Sequence, residues 1–369
     1  MKKSFLHFDY WFLCAFLVLI CLGLLILSGV SSISSQKDYG RSGYYFLHQL
    51  NWAILPGLFL GIIAFFIPVS FFKRFSLILI LFSLFLMALV LIPGIGIVSN
   101  GALRWINVGF TTLQPSEILK LAFIIYLATW LDSKLRQKKQ VHDSKKTFVP
   151  FICILGFIFI LFYLQSNAST LILVFSIALS MYFLSGTPLW QSLLLGLGGA
   201  MGTAFLILFE PYRLNRLMVS LGIIKDPMGL GYQINQSLIS IGSGGFFGNG
   251  LGSSSLKLGS FLPQTMSDSI FSIFAEEMGF MGALIILSLF VIIFIRCIRI
   301  AGKTEDKFSQ LFVIGFGSWI CLQAFINISA MIQLIPLTGI PLPFISYGGS
   351  HIIMELAGAG VVLNISKNT

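Results

Sequence analysis

The feature that most constrains this chain is a recurrent apolar run. Trp11 to Val30, Phe75 to Ile92 and Met281 to Ile295 carry no charge, and such runs approach or reach the ~20 residues that cross ~30 Å of hydrocarbon as a helix. Hydrophobic residues make up 57% of the chain and charged ones 10%, against roughly 45–50% and about 25% in soluble domains. A soluble core is excluded, and the bilayer is the solvent. The sequence predicts an all-α integral membrane protein, one polytopic domain over 1–369 with about ten transmembrane helices. The expected spans are 10–31, 51–70, 74–93, 115–131, 148–165, 170–186, 189–209, 269–296, 308–335 and 350–365. Lys2 and Lys3 precede the first run as they would in a signal peptide, but it is long and lacks a small-residue cleavage site. It reads as a retained helix.

The net charge of +10 does not point to nucleic acid, because the basic residues fall in short loops between apolar runs. They report topology. Ten spans return the C-terminus to the side of the N-terminus. If that side is cytoplasmic, the other receives eight of the 23 basic residues: Lys37, Arg41, Arg104, Lys120, Arg213, Arg216, Lys225 and Lys257. The positive-inside rule supports that orientation. Cys14, Cys21, Cys153, Cys297 and Cys321 lie in or beside apolar runs without a CxxC pair, and the histidines are scattered. Neither a disulfide frame nor a zinc site is indicated.

Outer loops are expected at about 32–50, 94–115, 210–268 and 336–349. The longest joins spans seven and eight and contains a Gly-rich stretch from Gly242 to Gly252. Tyr232 to Ile241 within it is predicted to form a short amphipathic or re-entrant helix. Around 335–350, Pro336, Pro341 and Pro343 rule out an ordinary helix.

Asp268 ends the long loop. It is either an N-cap of span eight or a functional carboxylate, and its basicity is open: a helix dipole would stabilise its charge, whereas a poorly hydrated cleft would raise its pKa. Arg104, Arg213, Arg216, Lys225 and Lys257 singly fit surface positions, but as a set they suit a phosphate-bearing ligand. The approach to Lys257 lacks the Gly-Lys-Ser/Thr ending of a nucleotide-binding loop. Glu117 and Lys120, one helical turn apart, fit either an internal ion pair or substrate contact. Charges at membrane depth face the bundle interior, so Glu276 and Glu277 are expected to have a structural partner such as Arg104 or a loop amide. His351 and Glu355 read as a satisfied polar pair in preference to a proton relay.

Six motifs carry a family resemblance: Asn100-Gly-Ala-Leu-Arg-Trp-Ile-Asn107, Gln114-Pro-Ser-Glu-Ile-Leu-Lys120, Lys225-Asp-Pro-Met-Gly-Leu-Gly-Tyr-Gln233, Gln236-Ser-Leu-Ile-Ser-Ile-Gly-Ser-Gly-Gly245, Ala275-Glu-Glu-Met-Gly279 and Pro341-Leu-Pro-Phe-Ile-Ser-Tyr-Gly-Gly-Ser350. Together they resemble the SEDS family (shape, elongation, division, sporulation) almost end to end, the division branch more than the elongation branch, with a sporulation homologue similar. The resemblance implies a peptidoglycan glycosyltransferase in the bacterial cytoplasmic membrane that joins lipid II units on the outer face. Asp268 would be the general base and undecaprenyl pyrophosphate the leaving group. The implied substrate-binding set is Arg104 and Lys257 first, then Arg213, Glu117, Lys120 and Glu277. A divalent cation, Mg or Mn, would be compatible, with no organic cofactor. The implied partners are lipid II, undecaprenyl-linked glycan, a class B penicillin-binding protein transpeptidase and other divisome membrane proteins.

The chain departs from the family pattern where Gln264, Met266 and Ser269 replace Glu, His and Phe around the aspartate. It departs again where Ser166-Asn-Ala-Ser-Thr170 replaces Pro-Asp-x-Gly-Thr. Two rival readings follow: a lipid II flippase, and a non-catalytic divisome scaffold that activates the transpeptidase.

Overall fold

The computed structural model describes residues 8–99, 102–109, 111–136, 144–224, 231–254 and 266–367. In chain order the elements are α1 (Tyr10–Tyr39), α2 (Tyr44–Phe66) and α3 (Val69–Leu89), then strands β1 (Gly96–Ser99), β2 (Ala102–Asn107) and β3 (Thr112–Leu113). They are followed by α4 (Pro115–Arg136), α5 (Lys145–Leu164), α6 (Ala168–Leu184) and α7 (Leu189–Leu208). The short α8 (Pro211–Ser220) and α9 (Tyr232–Ser243) precede α10 (Ile270–Lys303), α11 (Lys307–Met331) and α12 (Gly349–Ser366). Apart from α8 and α9, these helices match the ten expected spans. Eight are long and apolar enough to cross a bilayer; α6 is slightly shorter at 17 residues, and α4 buries Glu117, Lys120 and Asp132 inside the bundle.

Two faces result. The Asp9 amide donates to Ser366 Oγ at 3.1 Å, which joins the start of α1 to the end of α12. This terminal face holds ion pairs of Asp9 with Arg296 and of Asp132 with Lys73 and Arg136. The opposite face carries the long connections and is called the loop face here. Helix α1 runs eight residues beyond the expected end because its last turns, Ser31 to Lys37, are polar and leave the hydrocarbon. Gly40 closes it, donating its amide to Gln36.

Where a loop was expected at 94–115, the described residues form a three-stranded antiparallel sheet in the order β1-β2-β3. Gly96 pairs with Ile106 and Ile106 with Leu113. The sheet places Arg104 over the loop face.

At the centre, α11 packs against α4, α6 and α10, burying Phe312, Phe316 and Trp319 completely. Helices α2 and α12 cross closely enough that a Cβ on Gly360 would lie 2.1 Å from the Gly61 carbonyl oxygen. Small residues at such crossings let backbones approach where hydrophobic driving force between helices is absent.

Two departures from regular helix position the functional face. First, α10 breaks at Gly279 (φ 66°, ψ −167°), roughly 14 Å in from its start at 1.5 Å per residue. The Gly-rich stretch fills the break: Phe280 and Met281 donate to the carbonyls of Gly245 and Phe246, and Asn249 and Gly250 donate to those of Glu276 and Glu277, at 2.9–3.2 Å. Second, the segment between α11 and α12 re-enters the bundle. A Cβ on Gly23, midway along α1, would lie 2.7 Å from Ile345 Cα. Phe344 stands 6.1 Å from the Phe16 ring, and Leu342, Phe344, Ile345 and Ser346 are buried.

Non-helical backbone at this depth must be satisfied by protein groups, and polar side chains on three helices do so. Gln323 Nε2 donates to the Pro341 carbonyl at 3.0 Å and Asn327 Nδ2 to that of Ile340 at 2.8 Å. Glu355 Oε2 accepts the Phe344 amide at 2.8 Å, which holds Phe344 at φ 62°. Gln49 accepts the Gly348 amide at 3.1 Å and donates to the Ser346 carbonyl at 3.3 Å.

A Cβ at Gly279 would meet the Gly248 nitrogen at 2.3 Å, and the left-handed φ adds strain. Gly279→Ala is therefore expected to cost about 1–2 kcal/mol from backbone conformation and a further overpacking term of about 1–3 kcal/mol. A lowered melting temperature in detergent is the readout, with Gly302→Ala, where a Cβ meets open space, as the near-neutral control.

Candidate functional site

Asp268 sits on a turn formed by residues 266–269 that leads into α10. It does not cap the helix: Ser269 holds the N-cap position, and its Oγ accepts Gln233 Nε2 of α9 at 3.0 Å. The turn is strapped to the re-entrant segment. Tyr347 donates its amide to the Met266 carbonyl at 2.8 Å, Ser346 Oγ donates to the Ser267 carbonyl at 2.6 Å, and Asn327 Nδ2 donates to the Asp268 carbonyl at 2.9 Å. The carboxylate faces the other side of that segment, where a Cβ on Gly339 would lie 3.4 Å from Oδ2.

Asp268 is only 8% exposed. Burial pushes its carboxyl up to about 6, against the opposing pull of a Ser267 hydrogen bond and of the Arg216 and Arg104 charges. The basicity that the sequence left open thus falls on the side of desolvation.

Arg104 reaches the site from β2. Its Nη2 donates to the Ser166 carbonyl at 2.5 Å, while Nε is buried without a hydrogen-bond partner. Its acidity is raised by burial first and then by Arg213 and Arg216, with Asp268 opposing. Arg216 on α8 lies 4.7 Å over the Tyr212 ring and donates to the Leu337 carbonyl at 3.0 Å. Arg213 donates to the Leu206 carbonyl at 3.2 Å, at the end of α7. The structure therefore gathers Arg104 and Arg216 around one buried carboxyl, with Arg213 close enough to act on Arg104. Arg216, which the narrower sequence-derived set omitted, acts on Asp268 more strongly than Arg104 does. Lys225 and Lys257 lie outside the described residues, as does Gln264.

The remaining expected site residues lie deeper. Lys120 is 1% and Glu117 3% exposed; they pair at 2.6 Å, and Lys120 Nζ also donates to Gln323 Oε1 at 2.8 Å beside the Trp319 ring. Of the two readings, the internal ion pair is the one this geometry holds. Glu276 is held structurally: its Oε2 accepts the hydroxyls of Ser240 on α9 and of Ser254 in the long loop, both at 2.6 Å. Glu277 is buried just before the helix break, its carbonyl taken by Gly250. Glu355 is satisfied by Gln323 and the Phe344 amide rather than by His351, whose Nε2 is buried without a partner. Among the described residues no three His, Cys, Asp or Glu side chains stand together. Asp268 is flanked there by arginines, so these residues do not fit a protein-held divalent cation.

Sequence reasoning missed Asn327, Ser346 and Gln49. Their signal was present as carboxamides and a hydroxyl in otherwise apolar surroundings, since polar groups at membrane depth need partners. Which partners they take depends on contacts distant in sequence.

Removing Lys120 alone would strand the Glu117 carboxylate in the bundle. Lys120→Met is expected to destabilise by about 3–5 kcal/mol, and adding Glu117→Gln should recover most of the loss. Chemical unfolding in micelles measures both; equal stability of the single variant and the parent would refute the internal pair.

The family model for the cell cycle proteins FtsW, RodA and SpoVE matches residues 10–369. Stage V sporulation protein E of Bacillus subtilis is 38% identical over 95% of this chain and 94% of its own length. A probable peptidoglycan glycosyltransferase FtsW from Coxiella burnetii is 36% identical over 100% of this chain and 99% of its own. Among solved structures, Thermus thermophilus RodA superposes with TM-score 0.72 at 25% identity. A chain of a peptidoglycan synthase complex, described for its coordination of polymerization and crosslinking, superposes with TM-score 0.79 at 25% identity. Each covers 98% of both chains. The end-to-end match and the shared multi-pass fold establish that this chain belongs to the FtsW, RodA and SpoVE family of cell cycle proteins.

Proposed function

We propose that this chain is a peptidoglycan glycosyltransferase that polymerises lipid II for cell division. It works from the outer face of the bacterial cytoplasmic membrane, with both termini cytoplasmic. The observation that carries the reading is a buried carboxyl raised to about 6 and flanked by arginines on the face opposite the termini. A base with that pKa is ionised at neutral pH yet basic enough to take a proton as bonding begins. The names of the relatives support the activity, and the likeness to a chain of a synthase complex that coordinates polymerization and crosslinking supports a crosslinking partner, here proposed to be a class B penicillin-binding protein.

In the reaction, Asp268 takes the proton of the acceptor sugar hydroxyl as its oxygen forms a bond to the donor's anomeric carbon. The bond from that carbon to the diphosphate oxygen breaks with inversion, and the electron pair leaves on undecaprenyl pyrophosphate. Arg104, with an uncommitted Nε, and Arg216 offset the charge that develops there. An apolar cavity of about 490 Å³ between α5, α6 and α7, lined by Phe159, Leu171, Phe175, Gly199 and Leu206, offers a groove for one polyprenyl tail. It ends at Leu206, whose carbonyl holds Arg213. A tail seated there brings its diphosphate to the arginines.

Polymer formation from lipid II by the purified protein with its partner transpeptidase tests this. Asp268→Asn should abolish it, and activity equal to the parent's removes Asp268 from the mechanism. The deprotonated carboxylate is the active form, so the rate should rise with pH through about 6. Arg104→Ala should lower kcat by about 10²–10³-fold if it stabilises the leaving group. Translocation of labelled lipid II in proteoliposomes that survives Asp268→Asn, without polymer, would favour a flippase instead.

A further inference from the structure

We infer that Asn327 is a positioning residue for Asp268: its carboxamide clamps the base to the re-entrant segment and fixes where the carboxylate stands. This rests on Asp268 being the base. Asn327 lies near the loop-face end of α11, buried to 1% exposure. Its Nδ2 makes two hydrogen bonds, to the Asp268 carbonyl at 2.9 Å and to the Ile340 carbonyl at 2.8 Å. Both partners are acceptors, so only the NH₂ end of the amide can face them. One side chain therefore binds the two strands of backbone that enclose the carboxylate, the turn that bears it and the segment whose Gly339 lies against its Oδ2.

The clamp has further points of attachment. Ser346 Oγ accepts the Leu342 amide at 2.8 Å while donating to the Ser267 carbonyl, and Tyr347 bonds Met266. Behind Asn327, Gln323 lies one helical turn earlier on α11 and holds the Pro341 carbonyl. Lys120 in turn holds Gln323 Oε1. The buried ion pair is thus joined through Gln323 to the segment that cradles the base. Asn327 is the point at which this chain of contacts meets Asp268 itself, and it does so through the main chain, leaving the carboxylate oxygens for chemistry.

Loss of the carboxamide frees the 266–269 turn from α11 and lets the carboxyl move toward water. Two effects then follow. Misplacement of a reacting group by about 1 Å costs on the order of 10²-fold in rate. A better-hydrated carboxyl returns toward the ordinary carboxylate range, so the acid limb of the pH–rate profile moves to lower pH.

The test measures kcat, KM for lipid II and the pH–rate profile of the full-length protein with its transpeptidase partner, for the parent, Asn327→Ala, Asn327→Gln, Ser346→Ala and Asp268→Asn. For Asn327→Ala, kcat should fall by about 10- to 100-fold with KM changed less than about twofold, and the acid limb should move down by about one pH unit. Asn327→Gln, which keeps the donors on a longer arm, should recover part of kcat and of the limb position. Parent-like kcat and limb in Asn327→Ala, with Asp268→Asn inactive, overturn the inference and leave the proposed function standing. A rise in KM alone also overturns it. If Asp268→Asn is as active as the parent, both fall together. Should Asn327→Ala not fold, unshifted acid limbs in both Asn327→Gln and Ser346→Ala overturn the inference, and a downward shift in both supports it.

Discussion

A backbone amide or carbonyl inside hydrocarbon has no water to bond, and each one left open costs several kcal/mol. Two stretches of this chain break that rule locally, the kink at Gly279 and the re-entrant segment between α11 and α12. Each is closed by partners within the protein. The kink takes main-chain bonds from the Gly-rich stretch, which glycine alone permits at Gly248 and Gly279 because any Cβ would collide with the facing backbone. The re-entrant segment takes side-chain bonds from Gln49, Gln323, Asn327 and Glu355. The charges at depth belong to the same scheme. Lys120 and Glu117 compensate one another, and Lys120 orients Gln323.

The candidate site is the exposed end of this scheme. Asp268 would be ionised below the ordinary carboxylate range if two nearby guanidinium groups decided its state, yet its carboxyl is pushed up to about 6. Desolvation wins because the carboxyl is almost wholly buried, and the charges of Arg216 and Arg104 oppose it less strongly. The result is a weakly acidic carboxyl beside a cationic cluster. In the proposed reaction these properties would serve opposite ends of one displacement, proton removal from an incoming hydroxyl and charge compensation at a departing diphosphate.

The spans were legible in the sequence because apolar run length and basic loop charge are local signals, and α9 was legible as Tyr232 to Ile241 for the same reason. The β-sheet was less so. Asn100-Gly101 between alternating residues is a hairpin signal, but the surrounding apolar spans invite every short connection to be taken as a loop. The break in α10 left no trace in Met278-Gly279-Phe280, since one glycine in a helical pattern is tolerated. It forms because a segment some thirty residues earlier docks against it. Glu276 was expected to have a structural partner, but that Ser240 and Ser254 would bond it depends on how α9 and the long loop lie on α10. The roles of Gln49 and Asn327 were hidden likewise, because a carboxamide shows in sequence only that it needs a partner.

The two described departures from the family pattern beside Asp268, Met266 and Ser269, fall at positions whose carbonyls the turn uses. Met266 supplies its carbonyl to Tyr347, and its side chain packs on the core. Ser267 gives its carbonyl to Ser346. Ser269 accepts the Ser272 amide on its carbonyl and Gln233 on its hydroxyl. Replacing an imidazole and a ring at 266 and 269 therefore leaves the strapping of the turn intact and changes the charge around it. The described charges that act on Asp268 are then arginines, and the pull on its proton is set by their distance and by the dryness of the pocket. The turn after α5 behaves in the same way: Ser166, at φ 52°, gives its carbonyl to Arg104 without the carboxylate and glycine of the family pattern. Position is held by backbone and by residues on other helices, which is why the side chains nearest the aspartate could change while the site kept its shape.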